Sequence, residues 1–214
     1  AVPELNTAVR NAVPLGLAAL LALLSMISPF SIDTFFPSFR AMQAEFGISS
    51  LSIQQTLTAY MLPYAFMSLV HGPLSDALGR RVIVLWGLAL YAIASLACTF
   101  SSSFAALLAF RAIQGMTAGA GLTVGRAIIR DLYDGPEAQR LMSAVTMIFS
   151  VAPAMAPVVG GWIHVAFGWR AVFFFLFALG LAVMLASWWR LPETLPPQRR
   201  MPLALGPLVR TTLR

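Results

Sequence analysis

Gly72-Pro73-Leu74-Ser75-Asp76-Ala77-Leu78-Gly79-Arg80-Arg81 is the stretch on which the reading of this chain turns. It sets helix breakers, one acid and two adjacent arginines between long apolar runs at residues 51–72 and 82–100. A chain folding in water rarely builds such a connector. A chain crossing a bilayer needs one wherever two spanning helices reverse at the charged surface. The stretch predicts a loop between two membrane helices. Asp76 and Arg80, four positions apart, are spaced to pair.

The composition agrees. Of 214 residues, 59% are hydrophobic and 10% charged, with a mean hydropathy of +0.81. Soluble domains carry about 25% charged residues, and a chain this apolar would expose large sticky patches in water. The net charge of +6 comes with arginine as the sole basic residue type; lysine is absent. A basic soluble chain would suggest nucleic acid. Here the arginines lie between apolar runs, so the expected partner is the lipid bilayer, and nucleic acid is not expected. A single cysteine, Cys98, excludes a disulfide within the chain. It lies in an apolar run and is expected to pack as a small hydrophobe. His71 and His164 are far apart, with no cysteine or neighbouring acid to make a metal site.

Six apolar segments are long enough to span a hydrocarbon core, which takes roughly 20 helical residues: 13–36, 51–72, 82–100, 104–125, 141–165 and 171–189. Lipid offers no partner to exposed backbone groups, so all six are expected to be helices. The first is too long for the apolar core of a signal peptide and lacks a clean small-residue cleavage pattern. With six spans, Arg10, Arg80, Arg81, Arg126, Arg130, Arg140, Arg190, Arg199, Arg200, Arg210 and Arg214 fall on one side. Arg40 and Arg170 fall on the other. The arginine-rich side is read as the cytoplasm, which puts both termini there. Trp162 and Trp169 are expected near the outer interface and Trp188 and Trp189 near the inner one. Residues 191–214, rich in proline and arginine, read as a cytoplasmic segment leaving a bundle formed by residues 1–190. A short amphipathic piece is expected near 203–213.

Two ionisable residues fall within spans, where a charge costs at least about 2.5–3.5 kcal/mol on insertion scales. Asp33 lies in the outer part of the first helix, and Arg111 lies at comparable depth in the fourth. Both are expected to face an aqueous central cavity, Asp33 exchanging a proton and Arg111 tuning the local potential. Gln114 shares a face with Arg111 at i+3. Gly115 and Gly119 have the spacing that lets membrane helices approach closely. Pro153-Ala154-Met155-Ala156-Pro157-Val158-Val159-Gly160-Gly161 predicts a bend in the fifth helix, because each proline removes a backbone hydrogen bond. Tyr60 and Tyr64 share a face of the second helix and are expected to line the same central cavity.

These motifs resemble those of the major facilitator superfamily. Residues 72–81 match its loop between helices 2 and 3, and Arg111, Gln114 and Gly115 its fourth-helix motif. Residues 153–161 look like its antiporter motif, with Ala156-Pro157 where many members have Gly-Pro. Ser31-Ile32-Asp33-Thr34-Phe35-Phe36-Pro37 is similar to the first-helix motif of drug–proton antiporters. The branch resembled is the bicyclomycin-resistance (Bcr/CflA) type, through residues 29–37, Arg130-Asp131-Leu132-Tyr133 and Glu193-Thr194-Leu195-Pro196-Pro197.

The resemblance implies an all-α integral membrane fold of six helices, arranged as two inverted three-helix repeats. It implies a proton-coupled multidrug efflux antiporter of the bacterial inner membrane rather than an enzyme, with protons as coupling ion and no cofactor. Asp33, Arg111 and Gln114 would couple proton to drug. Gly72, Asp76, Gly79, Arg80, Arg81 and Asp131 would form a cytoplasmic gate, and Pro153, Pro157, Gly160 and Gly161 the antiporter bend. The substrate would be a hydrophobic or cationic drug. A complete member has twelve helices, so the chain is expected to be an N-terminal half whose C-terminal six-helix partner supplies the other cavity wall. The alternatives are a proton-coupled metabolite importer and a non-transporting membrane scaffold.

Overall fold

The fold is given by a computed structural model that describes residues 15–200. The expected amphipathic piece at 203–213, and Arg10, Arg210 and Arg214, lie outside the described residues. Within them the chain is helical, with no strand. The helices are α1 (Leu15–Asp33), α2 (Phe39–Phe46), α3 (Ser50–Ile53), α4 (Gln55–Leu78), α5 (Arg80–Thr99), α6 (Phe104–Leu132), α7 (Gly135–Phe167) and α8 (Trp169–Arg190). Short 3-10 turns occupy Phe36–Ser38 and Pro197–Arg199.

Four segments are long and apolar enough to cross a membrane: Gly16–Phe46, Arg80–Thr99, Gly135–Phe167 and Trp169–Arg190. Helices α4 and α6 have the length, at 24 and 29 residues. They fall short of that apolarity because they carry the charged and polar side chains described below.

Local chemistry sets several boundaries. Ser103 caps α6 by accepting a hydrogen bond from the Ala106 amide at 3.2 Å. Ser49 does the same for α3 through the Ser52 amide, 3.1 Å away. Pro136 sits in the first turn of α7, where its missing N–H costs nothing.

The connector 72–81 differs from its sequence reading. Helix α4 runs on through Pro63 and Pro73 to Leu78, and α5 begins at Arg80. The loop reduces to Gly79, whose φ of +108° suits a residue without Cβ. Proline reads as a breaker in water, but helices packed in a membrane tolerate it because neighbours satisfy the freed groups.

Helix α1 packs on α6, α7 and α8; α6 packs also on α4 and α5, and α5 on α8. Two apolar clusters follow one another along the helices. The first joins Leu20, Leu24, Val84, Val124 and Ile128 near the arginine-rich end. The second joins Phe30, Phe35, Met42, Leu107 and Phe173 at the other end. Cys98 is fully buried in the second, as a small hydrophobe would be. Lipid is as apolar as these side chains, so close packing rather than water exclusion holds them together.

Trp169, expected near the outer interface, opens α8 but does not face outward. It is 4% exposed, and its indole N–H donates to Glu45 Oε2 at 2.6 Å. Glu45 belongs to α2, a short helix the sequence reading had left as connector, and it also pairs with Arg170 at 2.6 Å. Trp162, Trp188 and Trp189 do stand exposed.

Candidate functional site

The polar centre of the bundle is built around Arg111. Its side chain is fully buried, so in this conformation it does not open to a cavity as the sequence reading expected. Three helices enclose it. The Arg111 Nη1 donates to the Ser31 carbonyl at 2.9 Å and to Gln114 Oε1 at 2.6 Å, and its Nε reaches the Thr56 carbonyl at 3.4 Å. The guanidinium lies between the rings of Phe35 and Tyr60, each centroid 4.4 Å away. A delocalised, weakly hydrated cation suits such a slot, where ring faces replace part of the lost water. Its Nη2 has no hydrogen-bond partner among the described residues.

Gln114 extends the network: its amide nitrogen donates to Ser95 Oγ at 2.7 Å, and Ser95 Oγ donates to the Tyr91 carbonyl. Tyr91 Oη shares a 2.6 Å hydrogen bond with Ser31 Oγ. The polar groups of α1, α5 and α6 are thereby tied to one another. No carboxylate pairs with Arg111 among the described residues; carbonyl dipoles and rings hold it instead.

Asp33 is the last residue of α1 and is half-buried. Among the described residues it has neither an ion-pair nor a side-chain hydrogen-bond partner. The structure places it two residues beyond Ser31, whose carbonyl Arg111 holds. It also brings the expected α7 motif alongside. A Cβ at Gly160 would fall on the Thr34 carbonyl, and Gly161 faces the Pro37 ring at 3.8 Å. The α7 glycines thus admit the segment after Asp33 at backbone contact. Helix α7 is continuous through Pro153 and Pro157.

Tyr60 is fully buried beneath Arg111, which corrects its expected place on a cavity wall. It is trapped there because α6 approaches its backbone so closely that a Cβ at Gly115 would overlap the Tyr60 carbonyl. Tyr64 is half-buried and stacks on Tyr60 with centroids 5.9 Å apart.

A second cluster lies at the arginine-rich end. Arg80, 7% exposed, pairs through Nη1 with Asp76 Oδ1 at 2.6 Å and through Nε with Asp131 Oδ2 at 3.0 Å. Its Nη1 also donates to Ser75 Oγ at 2.6 Å. Arg81 points elsewhere, donating from Nη2 to the Trp188 carbonyl at 2.6 Å. A Cβ at Gly72 would meet nothing within 4 Å, so packing gives no reason for glycine there.

Sequence reasoning missed two members of this cluster. Glu193 Oε1 accepts from the Arg80 backbone amide at 3.0 Å, and Thr194 Oγ1 donates to Asp131 Oδ2 at 3.0 Å. The signal was the acid in Glu193-Thr194-Leu195-Pro196-Pro197, but its contact lies more than 110 positions back along the chain. His71 was weighed only as a metal ligand. It lies on α4, buried against α6 near Gly119, and its Nδ1 has no hydrogen-bond partner among the described residues. Among the described residues no cluster could hold a metal ion.

Residues 21–209 match the profile of the Major Facilitator Superfamily. An uncharacterized MFS-type transporter of Bacillus subtilis, YdgK, is 38% identical, over 92% of this chain and 50% of the relative. The bicyclomycin resistance protein homolog of Haemophilus influenzae is 34% identical, over 90% of this chain and 48% of the relative. The chain spans about half the length of the curated relatives it matches. In fold it is similar to the human organic anion transporter MFSD10, with a TM-score of 0.71 and 22% identity, covering 89% of this chain and 51% of that one.

Proposed function

Because this chain belongs to the Major Facilitator Superfamily, we propose that it is the N-terminal half of a proton-coupled drug efflux transporter of the bacterial inner membrane. In this reading α1, α4, α5, α6, α7 and α8 all span, as two inverted three-helix repeats. At 1.5 Å per residue, α4 and α6 are longer than the roughly 30 Å core. Thr56, Tyr60 and His71 of α4 and Arg111 and Gln114 of α6 are buried against protein, as polar groups within a span must be. The arginine-rich end, and with it both termini, is cytoplasmic.

The observation that carries the reading is Asp33. A half-buried carboxyl without a partner, ending a membrane helix, is free to gain and lose a proton. Arg111 supplies a fixed positive charge beside the 31–33 turn, and Gln114 holds its orientation. Proton uptake at Asp33 from outside releases the drug, and proton loss to the cytoplasm restores affinity for the next one. A C-terminal half supplies the other cavity wall, and the two halves rock to alternate access. Met61, Met147 and Met155 stand exposed on α4 and α7 and suit the wall that this half contributes, since methionine surfaces adapt to varied apolar ligands. The bicyclomycin-resistance name of one relative agrees with a drug substrate.

The test is ethidium accumulation in cells expressing the full-length protein. Expression should lower accumulation, and a protonophore should abolish the difference. Equal accumulation with and without the protein would refute efflux; a difference that survives the protonophore would refute proton coupling.

A further inference from the structure

The segment after α8 is expected to leave the bundle, yet Glu193 and Thr194 tie it back to the Arg80 cluster. Leu191 is 2% exposed and belongs to the apolar core beside Val84, Ile129 and Leu141. Glu193 Oε1 accepts from the amides of Arg80 and Leu195 at 3.0 and 3.1 Å. Its other oxygen lies 3.8 Å from Arg200 Nη2. Thr194 donates to the same Asp131 oxygen that receives Arg80 Nε. A Cβ at Gly79 would lie 2.5 Å from Glu193 Oε2 and 2.9 Å from Arg200 Nη2, so the segment covers the hairpin at its tightest point.

This arrangement has a mechanical consequence. The Arg80 amide opens α5, where backbone N–H groups lack partners inside the helix and the dipole favours an anion. Glu193 fills that place. It fixes the backbone from which the Arg80 guanidinium reaches Asp76 and Asp131. Thr194 fixes the far side by orienting Asp131. The ion pairs alone join α4, α5 and α6. The strap adds the C-terminal end of α8, which shares the second proposed repeat with α6, to the same cluster.

We infer that residues 191–200 are a strap on the cytoplasmic gate: Glu193 and Thr194 position Arg80 and Asp131, and opening the gate requires the strap to detach. The inference rests on the alternating-access reading above. It makes Glu193 and Thr194 positioning residues rather than drug- or proton-binding ones.

The experiment is hydrogen exchange by mass spectrometry on the reconstituted full-length protein, with ethidium transport measured in parallel. In the wild type, exchange across 78–82 and 191–196 should change together when ethidium is added. Glu193→Ala should speed exchange across 78–82 by about tenfold or more, as expected for losing a hydrogen bond to a charged group. It should lower kcat several-fold without raising KM for ethidium, because the gate closes less often while the binding surface is intact. Glu193→Gln keeps an acceptor for the Arg80 amide and should recover most of both effects. Thr194→Val should lower kcat in the same sense with less effect on the Arg80 amide. Unchanged exchange and kcat in Glu193→Ala, or equal losses in Ala and Gln variants, would overturn the strap. A Glu193→Ala variant that raises KM alone would also overturn it. Wild-type protein that moves no ethidium at all would instead overturn the transport reading beneath it.

Discussion

Replacing Arg111 with lysine preserves the charge and removes the fork. The structure says how much should follow. Arg111 makes two short hydrogen bonds, to Gln114 Oε1 and the Ser31 carbonyl, and one long one to the Thr56 carbonyl. A lysine ammonium on its single stem cannot reproduce this three-way fork. Losing one short charge-assisted bond costs about 1.5–3 kcal/mol. The two rings at 4.4 Å lose a delocalised partner worth about 0.5–2 kcal/mol apiece, and an ammonium over the same rings recovers part of it. The ammonium is also harder to desolvate. An offset comes from lysine's ability to shed its proton when buried. The net expectation is about 3 kcal/mol of lost stability. With about 2.1 cal/mol/K of unfolding entropy per residue and a full-length protein about twice this length, the unfolding midpoint should fall by about 3–4 °C. Tryptophan fluorescence during thermal unfolding in detergent, on the full-length protein, measures it. Trp169 is buried against Glu45 in the fold and reports its loss. A midpoint within a degree or two of wild type would refute the claim that this guanidinium is held by its enclosure.

Two further outcomes follow from the packing and the ion pairs. Gly160→Leu would drive a side chain into the Thr34 carbonyl. Because that neighbour is backbone, α7 must move off α1, and ethidium efflux should fall at least tenfold with expression retained; normal efflux would show that the contact is dispensable. Asp131→Asn removes one of the two carboxylates on Arg80 while keeping an acceptor for Thr194. It should weaken the gate less than Asp76→Asn, whose 2.6 Å contact is the shorter. Exchange across 78–82 decides the order, and the reverse order would contradict the assigned roles.

Much of this arrangement is legible in the chain. Asp76 and Arg80 are spaced for one helical turn, and the family resemblance implied that Asp131, in the last turn of α6, joins them. Gln114 three positions after Arg111 announces a shared face. The connector was less legible, because Gly72 and Pro73 signal a break in water but not within a packed membrane helix. The enclosure of Arg111 was hidden for another reason. Its two rings, Phe35 in the turn after α1 and Tyr60 on α4, are distant in sequence, and nothing local to Arg111 indicates that they converge. The partner of the Trp169 indole was hidden because Glu45 lies on α2, more than 120 positions earlier in the chain. Glu193 and Thr194 were hidden by their setting among prolines, where a segment with its own tertiary contacts looks like a tether.

The central claim is that Asp33 carries the proton that drives drug export. Full-length protein and its Asp33→Asn variant, reconstituted in liposomes with a pH-sensitive dye inside, test it directly. Adding ethidium to the wild type should move protons against the drug, and a pH gradient should move ethidium. The variant should bind ethidium but fail in both directions, because the amide cannot exchange a proton. Drug-driven proton movement in Asp33→Asn equal to wild type would contradict the account.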